Sequence, residues 1–190
     1  MPTIDELKEE ACKFREFIES CDKENTKLVI DCFPIMSCKL SSMLLSYHFL
    51  ELWRDLEIKS ISASTGKNGQ ITHYWLEIND VVIDITGDQY NLINDSELNK
   101  AIVKNRPFEV VHVANKAESY LYDLFKILET DSLVYGFPCI GEDFIEDMEL
   151  GYNQLLNQAT CSNNSSQGKI KSKITKTPTL KLNALSSSDS

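Results

Sequence analysis

Three residues of this chain have the types and spacing for nucleophilic chemistry: Cys38, His73 and Asp84. Cys38 lies in "FPIMSCKLSSMLLSYHFL", where a turn containing Pro34 gives way to a strongly apolar helical pattern. Unpaired backbone N–H groups and the helix dipole favour a thiolate at such a position, with Ser37 as the expected cap. The same amides can hold a developing oxyanion. His73 and Asp84 lie in "ITHYWLEINDVVIDITGDQY", residues 71–90, which reads as two short strands joined by Asn79-Asp80. Residues of like parity share a strand face, so Ile71, His73, Trp75 and Glu77 point one way. With a two-residue turn, Ile78 faces Val81 and Trp75 faces Asp84. Asp84 then sits diagonally beside His73, roughly 7 Å away between backbones, within reach of an imidazole–carboxylate hydrogen bond. Such a carboxylate fixes the tautomer and leaves the second ring nitrogen to act as a base. A thiol beside that nitrogen becomes a thiolate–imidazolium nucleophile.

A cysteine heading a buried helix, then an H-x-W-x-E strand, then V-I-D-I-T resembles the transglutaminase-like branch of the papain-type cysteine enzymes. The matching positions are Cys38, His73 with Trp75, and Asp84 with Thr86, spread from Phe33 to Tyr90. The chain departs from that pattern at Lys39, where a small residue is usual. The resemblance implies acyl transfer on an amide bond of a protein or peptide, without a cofactor. Cys38 would attack the carbonyl, His73 would take and return the proton, and Asp84 would orient the imidazole. Release would be by water, as in a peptidase, amidase or deamidase, or by an amine, as in a transglutaminase; the sequence does not choose. Gln89 and Trp75 are the candidates for substrate contact or a second oxyanion donor beside the Cys38 N–H. A competing reading keeps the fold and discards the catalysis, leaving an adaptor or immunity-type protein that binds a basic partner.

The elements that must position these residues follow from periodicity. Leu7, Ala11, Phe14 and Ile18 recur at helical intervals between Ile4 and about Cys21, after a Thr3/Glu6 capping box. A second helix runs from Ser37 or Cys38 to about Arg54, apolar over so much of its girth that it belongs at the centre of the core. "TKLVIDCF" reads as a short strand or extended entry segment that stops at Pro34, "IKSISAST" and "PFEVVHVA" as strands, and "DSELNKAIVKN", "KAESYLYDLFKILETDS" and "EDFIEDMELGYNQLLNQ" as helices. Asp95 or Ser96 is the expected cap of the first of those three. Helices first, then strands with interspersed helices, predict an α+β domain with the cysteine helix packed on an antiparallel sheet. The resemblance gives that arrangement a papain-like or transglutaminase-like core.

Composition sets the outer bounds. The 190 residues are expected to hold one domain, 1–158, and a disordered Ser/Asn/Lys-rich tail, 159–190. The net charge of −10 divides into +4 from Ala159 onward and −14 before it. That balance opposes nucleic-acid binding through phosphates, and no apolar run is long enough to span a membrane. The N-terminus lacks the order of a signal peptide, so a cytoplasmic location is expected. Six cysteines without a CxxC pair read as separate thiols, and no two cysteines or histidines fall at metal-ligand spacing. His112 and His48 read as structural histidines. His48 lies ten residues into the helix from Cys38, too far along the axis to pair with it. Glu77 reads as an edge-exposed glutamate.

Overall fold

The computed structural model describes residues 1–66 and 69–171, the span 161–171 by backbone alone. It is an α+β structure in which five antiparallel strands carry the long helices on one face and short helical segments on the other. Helices α1 (Ile4–Ser20) and α2 (Cys38–Leu52) come first. Strands β1 (Ile58–Thr65), β2 (Ile71–Ile78) and β3 (Val81–Asp84) follow. Next come α3 (Lys100–Lys104), β4 (His112–Asn115), α4 (Leu121–Leu124), β5 (Lys126–Leu133) and α5 (Glu142–Lys171). The sheet order is β4-β3-β2-β1-β5, so β5 returns beside the first strand. By contact the chain divides into Met1–Ala159 and Thr160–Ser190. Helix α5 enters the segment read as a tail, and residues 172–190 lie outside the described residues. Among the described residues no helix is long and apolar enough to cross a membrane.

Strand parity sorts the core into two clusters. Ile58, Leu76, Ile78, Ile83 and Leu133 pack with Leu7, Phe14, Leu44, Leu45 and Phe49 of α1 and α2, and with Met148 and Leu155 of α5. Ile61, Ala63, Trp75 and Val82 point to the opposite face, under Tyr90, Leu98, Ile102, Phe108, Leu121 and Phe125. The Thr3/Glu6 capping box is formed, and α2 begins at Cys38. Asn79 takes the left-handed conformation in the β2–β3 turn, and the strands pair Ile78↔Val81, Glu77↔Val82 and Leu76↔Ile83.

Several local expectations give way. "TKLVIDCF" is a series of tight turns rather than a strand, closed by Val29 N→Thr26 O and Phe33 N→Ile30 O bonds. Its apolar side chains Leu28, Val29 and Phe33 still pack on the first cluster, so burial alone explains their character. The helix from Asp95 shrinks to α3, capped by Asn99, whose Oδ1 accepts from the Ile102 N–H. "KAESYLYDLFKILETDS" yields only the single turn α4 before Lys126–Leu133 joins the sheet along β1. Pairing with an otherwise open strand edge overrides local helical propensity there. Of "PFEVVHVA", only the portion from His112 forms the strand β4.

One buried cation ties the two halves of the first face together. Arg15 of α1 is nearly inaccessible, and its Nη1 donates to Ile85 O at 2.5 Å and to Asp88 Oδ1 at 3.0 Å. Nη2 donates to Asp88 Oδ2 at 2.9 Å, and the guanidinium carbon lies 4.3 Å above the centre of the Phe33 ring. Arg15 therefore grips both the segment after β3 and the turn that leads into α2. Replacing Arg15 with Met leaves Asp88 without its partner and should lower the unfolding free energy by about 3 kcal/mol, read from the urea midpoint.

Candidate functional site

Strand β3 stops pairing with β2 at Leu76↔Ile83, whereas β2 continues back to Ile71 along β1. The N-terminal half of β2 thus has an edge with no strand beside it among the described residues. Cys38, Gln89, Ile71, Thr72 and Tyr74 line a cleft of about 560 Å³ at that edge. Met36, left-handed at φ 58° and largely exposed, and Lys39 also line it.

The hairpin brings His73 and Asp84 together as its register demands. His73 Nε2 lies 2.7 Å from Asp84 Oδ2, and both side chains are completely buried. The other carboxylate oxygen, Oδ1, accepts from the Thr86 N–H at 2.8 Å and from the Thr86 hydroxyl at 3.1 Å. Thr86 therefore holds Asp84 from behind. Gly87 is pressed against the same carboxylate: a Cβ there would stand 2.8 Å from Asp84 Oδ2 and 3.0 Å from the Tyr120 hydroxyl. Aromatic rings wall the imidazole, with Tyr90 edge-on at 5.2 Å, Phe125 at 5.1 Å and Trp75 at 6.0 Å.

The rest of the ring meets Gln89 and Cys38. Gln89 Nε2 is 3.1 Å from His73 Nδ1. Cys38 adjoins the same ring, and its hydrogen bond, together with its charge when ionised, favours the protonated imidazole. Burial alone would push the imidazole's pKa down; the Asp84 carboxylate, through charge and hydrogen bond, and Cys38 outweigh it and raise the pKa to about 10. Burial likewise pushes Asp84 up, but the His73 charge and the hydrogen bonds from His73 and Thr86 hold its carboxyl below the ordinary value. At neutral pH the imidazole is therefore protonated, with the Asp84 carboxylate on Nε2 and Cys38 beside the ring.

At the head of α2 the expected cap is absent. The Ser37 hydroxyl donates to Pro34 O at 2.7 Å, and no side chain caps the helix. A turn that folds back on Pro34 competes with capping, so the first amides of α2 have no side-chain acceptor beside Cys38.

The remaining candidates sort clearly. Gln89 lines the cleft next to Cys38. Trp75 does not: further along the same strand face as Ile71 and His73, it is covered by Tyr122 and Phe125 and lies fully buried beside the His73 ring. Asp88, the other carboxylate near this turn, is held by Arg15 and not by His73. His112 comes opposite Asp84 in the β3–β4 register but pairs with the Ser119 hydroxyl at 2.9 Å. His48 is buried away from Cys38, with Glu10 Oε2 at 3.0 Å and the Tyr152 hydroxyl at 3.2 Å. Glu77 is not edge-exposed: it is buried, with Lys116 Nζ at 3.0 Å and the Tyr122 hydroxyl at 2.5 Å. Cys12, Cys21, Cys32, Cys38 and Cys139 are free thiols, and no group of three or more potential ligands is placed to hold a metal among the described residues. Sequence reasoning missed Arg15 altogether, and its one signal was an arginine on the apolar stripe of α1, one residue after Phe14. Comparison with protein-family models, curated proteins and solved structures returns no match.

Two measurements follow from this geometry. His73 is raised from 6.5, so its contribution to stability is complete below about pH 6.5 and is lost as pH climbs towards 10. Asp84 is lowered from 3.8, so its contribution is present above that pH and is lost as pH falls below it. The denaturant midpoint should decline on both sides, and in His73→Gln the alkaline decline should flatten. Gly87→Ala should displace Asp84 and cost about 1–3 kcal/mol by overpacking, with the His73 proton resonances shifting in NMR spectra.

Proposed function

We propose that this chain is a cysteine-dependent acyl-transfer enzyme with a papain-like or transglutaminase-like core, acting on an amide bond of a protein or peptide. The observation that carries the reading is a buried His73–Asp84 pair whose imidazole adjoins the Cys38 thiol at the head of α2, beside an open cleft. A protonated imidazole beside a thiol is the resting partner of a thiolate nucleophile.

In this mechanism Cys38 Sγ attacks the carbonyl carbon of an amide lying in the cleft. The oxyanion forms against the N–H of Cys38, in the uncapped first turn of α2, and the side-chain amide of Gln89, which lines the same cleft, would be the second donor. Asp84 takes Nε2, so Nδ1 is the nitrogen left to pass its proton to the departing amine. The acyl group then rests on Cys38 as a thioester. Water or an amine attacks it, giving its proton back to Nδ1, and the thiolate leaves. While the imidazole is charged, Gln89 must turn its carbonyl oxygen to the Nδ1 hydrogen; when the ring is neutral, the amide nitrogen can donate there instead.

A non-catalytic adaptor is the second reading, favoured by one observation: Gln89 already occupies the base nitrogen in the resting structure. Iodoacetamide separates the two. The catalytic reading expects Cys38 to alkylate fastest at neutral pH and to slow at least about tenfold in His73→Ala, because the imidazolium no longer supports the thiolate. Cys38→Ala should remove the fast site. Slow, uniform alkylation of every cysteine, unaffected by His73→Ala, would favour the adaptor.

A further inference from the structure

A second cavity, of about 200 Å³, shares Lys39 and Tyr74 with the cleft. Its interior is apolar, formed by Met43 of α2, Leu133 at the end of β5, Ile140, and Phe144 in α5. Two carboxylates, Glu129 and Asp131, line it from β5. They alternate with Thr130, so they share the strand face of Leu133, and they stand across from Ser62 and Ser60 of β1. Both are exposed, and neither has an ion pair or hydrogen bond among the described residues.

Ser60 supplies an independent sign of a ligand. The residue lines the cavity and is only 7% exposed as a whole, and its hydroxyl makes no hydrogen bond among the described residues. A serine hydroxyl without a protein partner, lining an apolar cavity beside two unpaired carboxylates, suits a guest with hydrogen-bonding capacity and positive charge. Lys39 contributes one positive charge at the shared wall, with its ammonium 5.5 Å from the centre of the Tyr74 ring. Two carboxylates against one ammonium leave the cavity negative. A purely aliphatic guest would leave the carboxylates and Ser60 unanswered, and an anionic one would be repelled. A side chain with a methylene stem and a cationic head meets every wall.

We propose that this cavity is a side-chain subsite for a lysine or arginine of a peptide substrate, adjoining the amide attacked at Cys38. Its place in a reaction rests on the acyl-transfer reading, but its preference for a cation does not. Lys39 and Tyr74 then separate the reacting carbonyl from the basic side chain, so the subsite would select a basic residue near the reacting bond.

The test is a titration of the full-length, 15N-labelled chain carrying Cys38→Ala. The probes are acetyl-Gly-Lys-Gly-amide and its norleucine counterpart, which keeps the stem and lacks the charge. The lysine peptide should shift the amide signals of Ser60, Asp131 and Leu133. It should bind roughly threefold to tenfold more tightly than the norleucine peptide, the scale of one or two solvent-facing ion pairs. The double substitution of Glu129→Gln with Asp131→Asn, on the exposed side of β5, should abolish the difference and leave the rest of the spectrum in place. Equal binding of the two peptides, shifts confined to other residues, or no shift at Ser60 up to the solubility of the lysine peptide would overturn the subsite. Because the nucleophile is absent, this result is separate from alkylation: lysine binding with a slow Cys38 refutes the enzyme alone, and a fast Cys38 without lysine binding refutes the subsite alone.

Discussion

The guanidinium of Arg15 is the constraint on which the arrangement of this molecule depends. A buried cation is costly unless its hydrogen-bonding capacity is met, and here three chain segments meet it. Asp88 supplies both carboxylate oxygens, Ile85 a carbonyl and Glu19 a further carboxylate, while Phe33 covers one flat side. Ile85 and Asp88 bracket Thr86 and Gly87, the residues that hold Asp84. Phe33 begins the turn that ends at Cys38. One side chain on the first helix thus fixes, relative to each other, the two loops that carry opposite ends of the site.

The electrostatics of the site follow from burial without isolation. A lone histidine in this aromatic enclosure would be neutral, because desolvation disfavours the charged ring. Asp84 reverses that outcome, and it can do so only because Thr86 satisfies its second oxygen and spares it from competing partners. The Tyr90, Phe125 and Trp75 rings exclude water from one side of the imidazole, which strengthens the charge–charge interaction. The other side is left to Gln89 and Cys38, the two groups that meet the cleft.

The sequence made the hairpin legible because its information is local: parity, a turn dipeptide and two apolar strands suffice to place His73 beside Asp84. The start of α2 was legible for the same reason, since a helical pattern begins abruptly at Cys38. What it concealed depends on partners distant along the chain. Lys126–Leu133 looks helical until the edge of β1 is there to receive it. Glu77 looks like a surface residue until Lys116, just past β4, and Tyr122 of α4 arrive to satisfy it. Trp75 looks available to a substrate until Phe125 and Tyr122 cover it. Ser37 has the composition of a cap and the geometry of a turn donor, a choice made by the position of Pro34.

The abrupt end of β3 has a further consequence. A strand edge without a neighbour is an adhesive surface, and an extended one invites a second chain to add itself to the sheet. Here the bare edge spans only the N-terminal half of β2, and the residues around it include the charges of Lys39 and Glu97 and the polar groups of Gln70 and Thr72. An opening of that length is long enough for a few residues of a visiting backbone and too short to propagate an assembly. At this edge the fold has room for a short length of backbone and none for a growing sheet.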